Sequence, residues 1–298
     1  MVPSAKLRSP TVIGKLTGVV LILALGAAAG ELAAHQGHPA HESATVKACG
    51  PAPRFISAAY QNSRSVATAA WSVFGRPETG WAIYAPLAAR EIGVDCPPDA
   101  QGFAGALASW QEGHRLPATG IMDEATLRAL DRTWQSRRPF VAATAHGACP
   151  APPAVLADAR IDEGYGGKQV QLRAGALDAY RRMVAAARAA EPVLAGDKRM
   201  LTIFSGYRDP AADAARCAKE LNCNAVVRAT CSAHRTGLAM DLYLGAAPGF
   251  SPDSSADPNR LYQSRSNAYL WLVAHARDFG FVNYPFEPWH WEWTGEPP

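Results

Sequence analysis

The chain has 298 residues, 48% of them hydrophobic, and a formal net charge of +3. That length holds one large domain or two ordinary ones, and that apolar share excludes wholesale disorder. The mild charge, with no long basic run, gives no case for a nucleic-acid partner.

Residues 1–30 read as an address rather than as fold. Lys6, Arg8 and Lys15 make a positive start, and LTGVVLILALGAAAG follows as an apolar stretch ending in small residues. This is the grammar of a secretory signal, with Ala27-Ala28-Ala29 as a cleavage site. The alternative is an uncleaved anchor, although the apolar run from Leu16 to Gly30 is short for a bilayer span. Export to the periplasm or cell envelope, or secretion, is expected, with a membrane contact only if the segment is retained. Residues 31–48 are small and polar, a linker in which His35, His38 and His41 recur.

Six cysteines fit export: Cys49, Cys96, Cys149, Cys217, Cys223 and Cys231. None forms a CxxC pair, so disulfides are a better reading than a cysteine-bound metal. Three lie in each half. Unless a partner chain intervenes, at least one crosses between the halves or stays free, and the pairing is left open.

Residues 49–140 form a helical module. Phe103, Ala106, Leu107 and Trp110 sit at helical spacing, a turn with Gly113, Pro117 and Gly120 follows, and Asp123 is placed to cap a second helix carrying Thr126, Leu127 and Leu130. Trp110-Gln111, Gly113, Leu116, Gly120, Thr126 and Leu130 make this stretch resemble the small three-helix peptidoglycan-binding domain. The alternative is an ordinary helical hairpin without a ligand. Residues 141–158, rich in Ala and Pro, read as a linker.

Residues 159–298 mix helices and strands without βαβ alternation. LRAGALDAYRRMVAAARAA reads as an amphipathic helix, RMLTIFSGYR as a strand running into a turn, and PAADAARCAKEL as a short helix. LAMDLYLG is a strand, SNAYLWLVAHARDFGF a helix stopped by Gly280, and WHWEW a closing strand. The expected fold is α+β, a mainly antiparallel sheet with flanking helices, preceded by the small all-α domain.

Asp241 poses the question of function. In AMDLYL, Met240, Leu242 and Leu244 face one side and Asp241 the other; in WHWEW, Trp289, Trp291 and Trp293 face one side and His290 and Glu292 the other. Neighbouring strands would bring Asp241 and His290 to one point, with His234 arriving on the loop between Cys231 and Gly237. Two imidazoles and a carboxylate are a competent shell for Zn2+ with one position open. Glu287, in a proline-broken loop before His290, can lean over that position. Glu292 is the rival base, and reads better as a partner orienting a ligand histidine. Alone, Asp241 would read as a strand-edge charge paired with Arg208 or Arg235.

Three blocks together resemble the zinc D,D-peptidases of the vancomycin-resistance carboxypeptidase type, which share a fold with lysostaphin-like endopeptidases and the hedgehog domain. They are Ser205 to Arg208, then Ser232, His234, Gly237, Ala239 and Asp241, then Glu287 and His290. The resemblance implies that His234, Asp241 and His290 hold zinc. It implies that Glu287 is the general base and then the acid, and that Arg208 stabilises the oxyanion. Ser232, with Ser205 and Tyr207, would contact the peptide, and Gln171 would bind its terminal carboxylate. The implied reaction is hydrolysis of the terminal D-Ala-D-Ala bond of peptidoglycan stem peptides. The alternatives are cross-bridge endopeptidase activity and a non-catalytic zinc-containing wall-binding module. In each case the partner is peptidoglycan.

Overall fold

The computed structural model describes residues 49–220 and 231–298; the expected signal segment and the linker 31–48 lie outside the described residues, as does Cys223. The helical part opens with α1 (Ile56–Thr68), a short antiparallel hairpin of β1 (Ala70–Trp71) and β2 (Glu78–Thr79), and α2 (Ala85–Glu91). Then come α3 (Gln101–Gly113), α4 (Glu124–Gln135) and α5 (Pro139–Thr144). Asp123 caps α4 by accepting from the Thr126 N–H at 2.8 Å. Gln111 is the keystone of this part. Its buried amide donates to the Ile121 carbonyl and to Thr126 Oγ1, and accepts from the Gly120 N–H at 2.8 Å. The residues that resemble the peptidoglycan-binding pattern therefore tie the α3–α4 loop together. Trp81, Phe103, Leu107 and Leu130 fill the core beneath it.

The second part starts with a ribbon of β3 (Ala157–Asp158) and β4 (Gln171–Leu172), followed by α6 (Ala174–Ala190), α7 (Pro192–Gly196), β5 (Ile203–Ser205) and α8 (Pro210–Glu220). A short 3-10 turn, Ala233–Thr236, leads into β6 (Ala239–Leu242). After α9 (Asp257–Ser264) and α10 (Asn267–His275), β7 (Phe281–Asn283) and β8 (His290–Trp293) complete an antiparallel sheet of order β5-β6-β8-β7. Leu177, Tyr180, Met183 and Val184 of α6 pack with Met240, Leu242, Trp289 and Trp291 in one core. The tryptophans are thus core residues. Gly280, at φ +84°, ends the turn after α10 in a conformation that suits glycine.

The two parts belong to a single compact unit. The linker expected over 141–158 begins inside α5 and ends in β3, and it is anchored by a disulfide between Cys149 and Cys231. A second disulfide joins Cys49 to Cys96. One bridge thus crosses between the halves of the chain. Leu87 of α2 packs onto the C-terminal core, and Leu261 of α9 packs onto the N-terminal one. Charges cross the same junction. Arg260 is 0% exposed; its Nη1 lies 2.5 Å from Glu78 Oε1, its Nη2 donates to the Tyr84 hydroxyl, and its Nε donates to the Phe286 carbonyl at 2.7 Å. Removing one partner of such a pair strands the other without compensation. Arg260→Ala is expected to lose about 3–5 kcal/mol of stability; an unchanged denaturant midpoint would contradict this account of the junction.

Candidate metal centre

The sheet register assembles the site. Asp241 of β6 lies opposite Ser205 of β5 on one side and opposite His290 of β8 on the other. Directly opposed residues project to the same face. His234 comes from the 3-10 turn just before β6, and that turn is held on several sides. Thr236 Oγ1 donates to the Ala233 carbonyl and accepts from the Leu238 N–H. Arg173 Nε donates to the Thr236 carbonyl at 2.8 Å, and the Arg173 N–H to that of Gly237 at 2.9 Å. The Cys149–Cys231 disulfide fixes the strand of chain that leads in.

The three side chains converge and are buried. His234 Nε2 lies 3.2 Å from Asp241 Oδ2, and His290 Nδ1 lies 3.0 Å from Asp241 Oδ1. One donor atom from each falls within 4.8 Å of the others. The far nitrogens are engaged as well. His234 Nδ1–H donates to the Gly206 carbonyl at 2.8 Å, and His290 Nε2 stands 3.4 Å from Glu292 Oε1. Such outer partners settle ring orientation and tautomer. Burial pushes His234 towards its neutral form. Burial would raise the Asp241 carboxyl, but His234 and His290 hold it well below the usual carboxylate range. Burial likewise opposes charge on His290, yet its bonds to Asp241 and Glu292 push it up to about 9. The site therefore favours positive charge between its donors. Two imidazole nitrogens and a carboxylate oxygen, each braced from behind, fit a zinc-type ion.

Glu287 stands at the rim. It sits in the turn between Tyr284 and His290, where its N–H donates to the Tyr284 carbonyl and its own carbonyl accepts from the His290 N–H, both at 2.9 Å. Its Oε2 is 3.9 Å from His290 Nδ1. Burial pushes the Glu287 carboxyl up, His290 pulls against it, and Asp241 adds to the rise. A partly buried carboxyl with a raised pKa beside a cluster of ligands suits proton transfer. Glu292 differs. It lies on the buried side of His290, where burial would raise its carboxyl, but Arg138 and His290 push it down to about 2.

The remaining residues singled out from the sequence lie around this centre. Arg208 places its charge where both His234 and Glu287 feel it, and its N–H donates to the His234 carbonyl. Ser232 precedes the His234 turn, and its carbonyl accepts from the Arg235 N–H. Ser205 is in the Asp241 row. The Tyr207 N–H donates to the Gln171 carbonyl at 2.7 Å, which brings β4 beside the Ser205 block. The Gln171 amide itself is exposed and donates to Asp158 Oδ1 at 3.0 Å.

Residues 169–296 match the family model described as D-alanyl-D-alanine carboxypeptidase, VanY. This segment is a VanY domain. No curated protein and no solved structure matches the chain. The VanY domain contains every residue named above as a candidate ligand, base or substrate contact. Two supports of the centre escaped sequence reasoning. The Gly206 carbonyl sits inside the Ser205 to Arg208 block, where the glycine was visible but its task was not. Arg173 had no signal beyond standing before a helix. Gly206 is required by close approach, because a Cβ there would collide with Val170 Cγ1 and the Gln171 carbonyl. Gly206→Ala is expected to cost about 1–3 kcal/mol. Thermal unfolding would show it, and a wild-type melting curve would count against the packing described.

Proposed function

We propose that this protein is an exported, zinc-dependent D,D-carboxypeptidase that removes the terminal D-alanine from peptidoglycan stem peptides. The observation that carries the reading is the convergence of His234, Asp241 and His290, with Glu287 at the rim, inside a VanY domain. His234 Nε2, His290 Nδ1 and an Asp241 oxygen would hold the ion. Zinc, when bound, lowers the pKa of a water and polarises a carbonyl.

The chain's own residues do the rest. Glu287 takes the proton of the attacking water as its oxygen bonds to the peptide carbonyl carbon. As the C–N bond breaks, Glu287 returns that proton to the leaving amine of D-alanine. Arg208 directs its charge at the carbonyl oxygen as that oxygen becomes negative, a fixed cation in place of mobile solvent. Ser232, Ser205 and Tyr207 would contact the peptide, as the resemblance implies. Disulfides among the described residues and the apolar N-terminal segment support export. The Gln111 loop supports a peptidoglycan-binding-type fold for the helical part.

The purified chain, given isolated muropeptides, is expected to release one alanine per stem peptide by mass spectrometry. Activity should vanish with a chelator and return with added zinc. Conversion of dimers to monomers would instead establish an endopeptidase, and inertness towards every muropeptide would sink the enzymatic reading. Glu287→Ala should lower kcat by about 100- to 10,000-fold. A variant with full activity would exclude Glu287 as the base.

A further inference from the structure

Glu292 lies directly behind the metal centre, and its partners come from the helical part of the molecule. The residue is 1% exposed. On one side its Oε1 faces His290 Nε2 at 3.4 Å. On the other, Arg138 Nε donates to Oε1 at 2.7 Å and Arg138 Nη2 stands 2.5 Å from the same oxygen. The Phe140 N–H donates to Oε2 at 3.1 Å. Both carboxylate oxygens are therefore occupied. Arg138 is fixed in turn. Its Nη1 donates to Gln135 Oε1 at 2.7 Å, and its guanidinium lies 4.1 Å over the ring of Tyr284. That ring meets His290 edge-on at 6.0 Å.

Gln135, Arg138 and Phe140 all precede the VanY domain, which begins at residue 169. They sit at the junction of α4 and α5. A module tethered only to deliver an enzyme to its polymer has no need to place a buried cation behind that enzyme's site. A carboxylate this deep is sustained by pairing. Held by Arg138 and Phe140, it accepts from the Nε2–H of His290. With an ion in place of the Nδ1 proton, the Nε2–H would stay on Glu292 and the Nδ1 lone pair would face the centre.

We propose that Arg138 is a positioning residue of the metal centre: through Glu292 it sets the orientation and tautomer of His290, so that the helical part completes the site. This rests on the reading of His234, Asp241 and His290 as metal ligands. Loss of outer partners of this kind lowers ion affinity by about 10- to 100-fold.

The test uses the full chain and the variants Arg138→Ala, Arg138→Lys, Glu292→Gln and Arg76→Ala. Arg76 pairs with Asp257 across the same junction without touching His290. Zinc affinity is measured by competition with a chromophoric chelator, and the visible absorption of the cobalt(II) form reports the geometry of the donors. Arg138→Ala and Glu292→Gln should each weaken zinc by about 10- to 100-fold and alter the cobalt spectrum. The double variant should be no weaker than the weaker single one, Arg138→Lys should recover part of the loss, and Arg76→Ala should keep both readouts. A folded Arg138→Ala protein with wild-type affinity and spectrum overturns the proposal. Should Arg138→Ala fail to fold, Glu292→Gln and Arg138→Lys decide, and wild-type readouts in both overturn it equally. An equal loss in Arg76→Ala also overturns it, since the effect would then belong to docking of the two parts. A wild-type chain that takes up neither ion overturns the metal reading and the relay with it, whereas normal uptake by all variants overturns the relay alone.

Discussion

The pairing of β6 with β8 holds Asp241 opposite His290, and every other feature of the site is arranged around that pair. Side chains alternate along a strand, so a slip of one residue would turn both groups into the apolar core and bring tryptophans to the site. Met240 and Leu242 on one strand, Trp291 on the other and Trp289 just before it make that slip costly because they are buried in one core with α6. The packing of the core and the geometry of the centre are thus the same constraint seen from two faces of one sheet.

A second layer of organisation lies at the boundary between the helical part and the VanY domain. Buried charge is expensive unless matched. Here each part answers a charge carried by the other. Glu78 receives Arg260, and Glu292 receives Arg138. The arrangement joins the two parts by mutual neutralisation as well as by apolar contact. It also places the boundary within one residue's reach of a candidate ligand, since Glu292 touches His290.

Much of the site could be read from local patterns. The alternation in AMDLYL and WHWEW placed Asp241 and His290 on the faces where the structure has them, and the prolines around Glu287 marked a loop. Asp123 was visible as a cap because capping depends on residue type and position alone. What escaped depended on distance along the chain. Arg138 and Glu292 are separated by 154 residues, and nothing near either one announces the other. The Cys149–Cys231 bridge was one of many pairings that composition allows. β7 was missed because Phe281–Asn283 is too short to show a period, and the β1–β2 hairpin for the same reason.

The reciprocal packing of Leu87 and Leu261 bears on how this molecule is dissected. Cutting the chain ahead of residue 169 to isolate the family-matched piece would lay bare a greasy flank and orphan an acid at its centre. Poor behaviour of such a fragment would then reflect the surgery, and inactivity in it would say little about the chemistry of the intact protein.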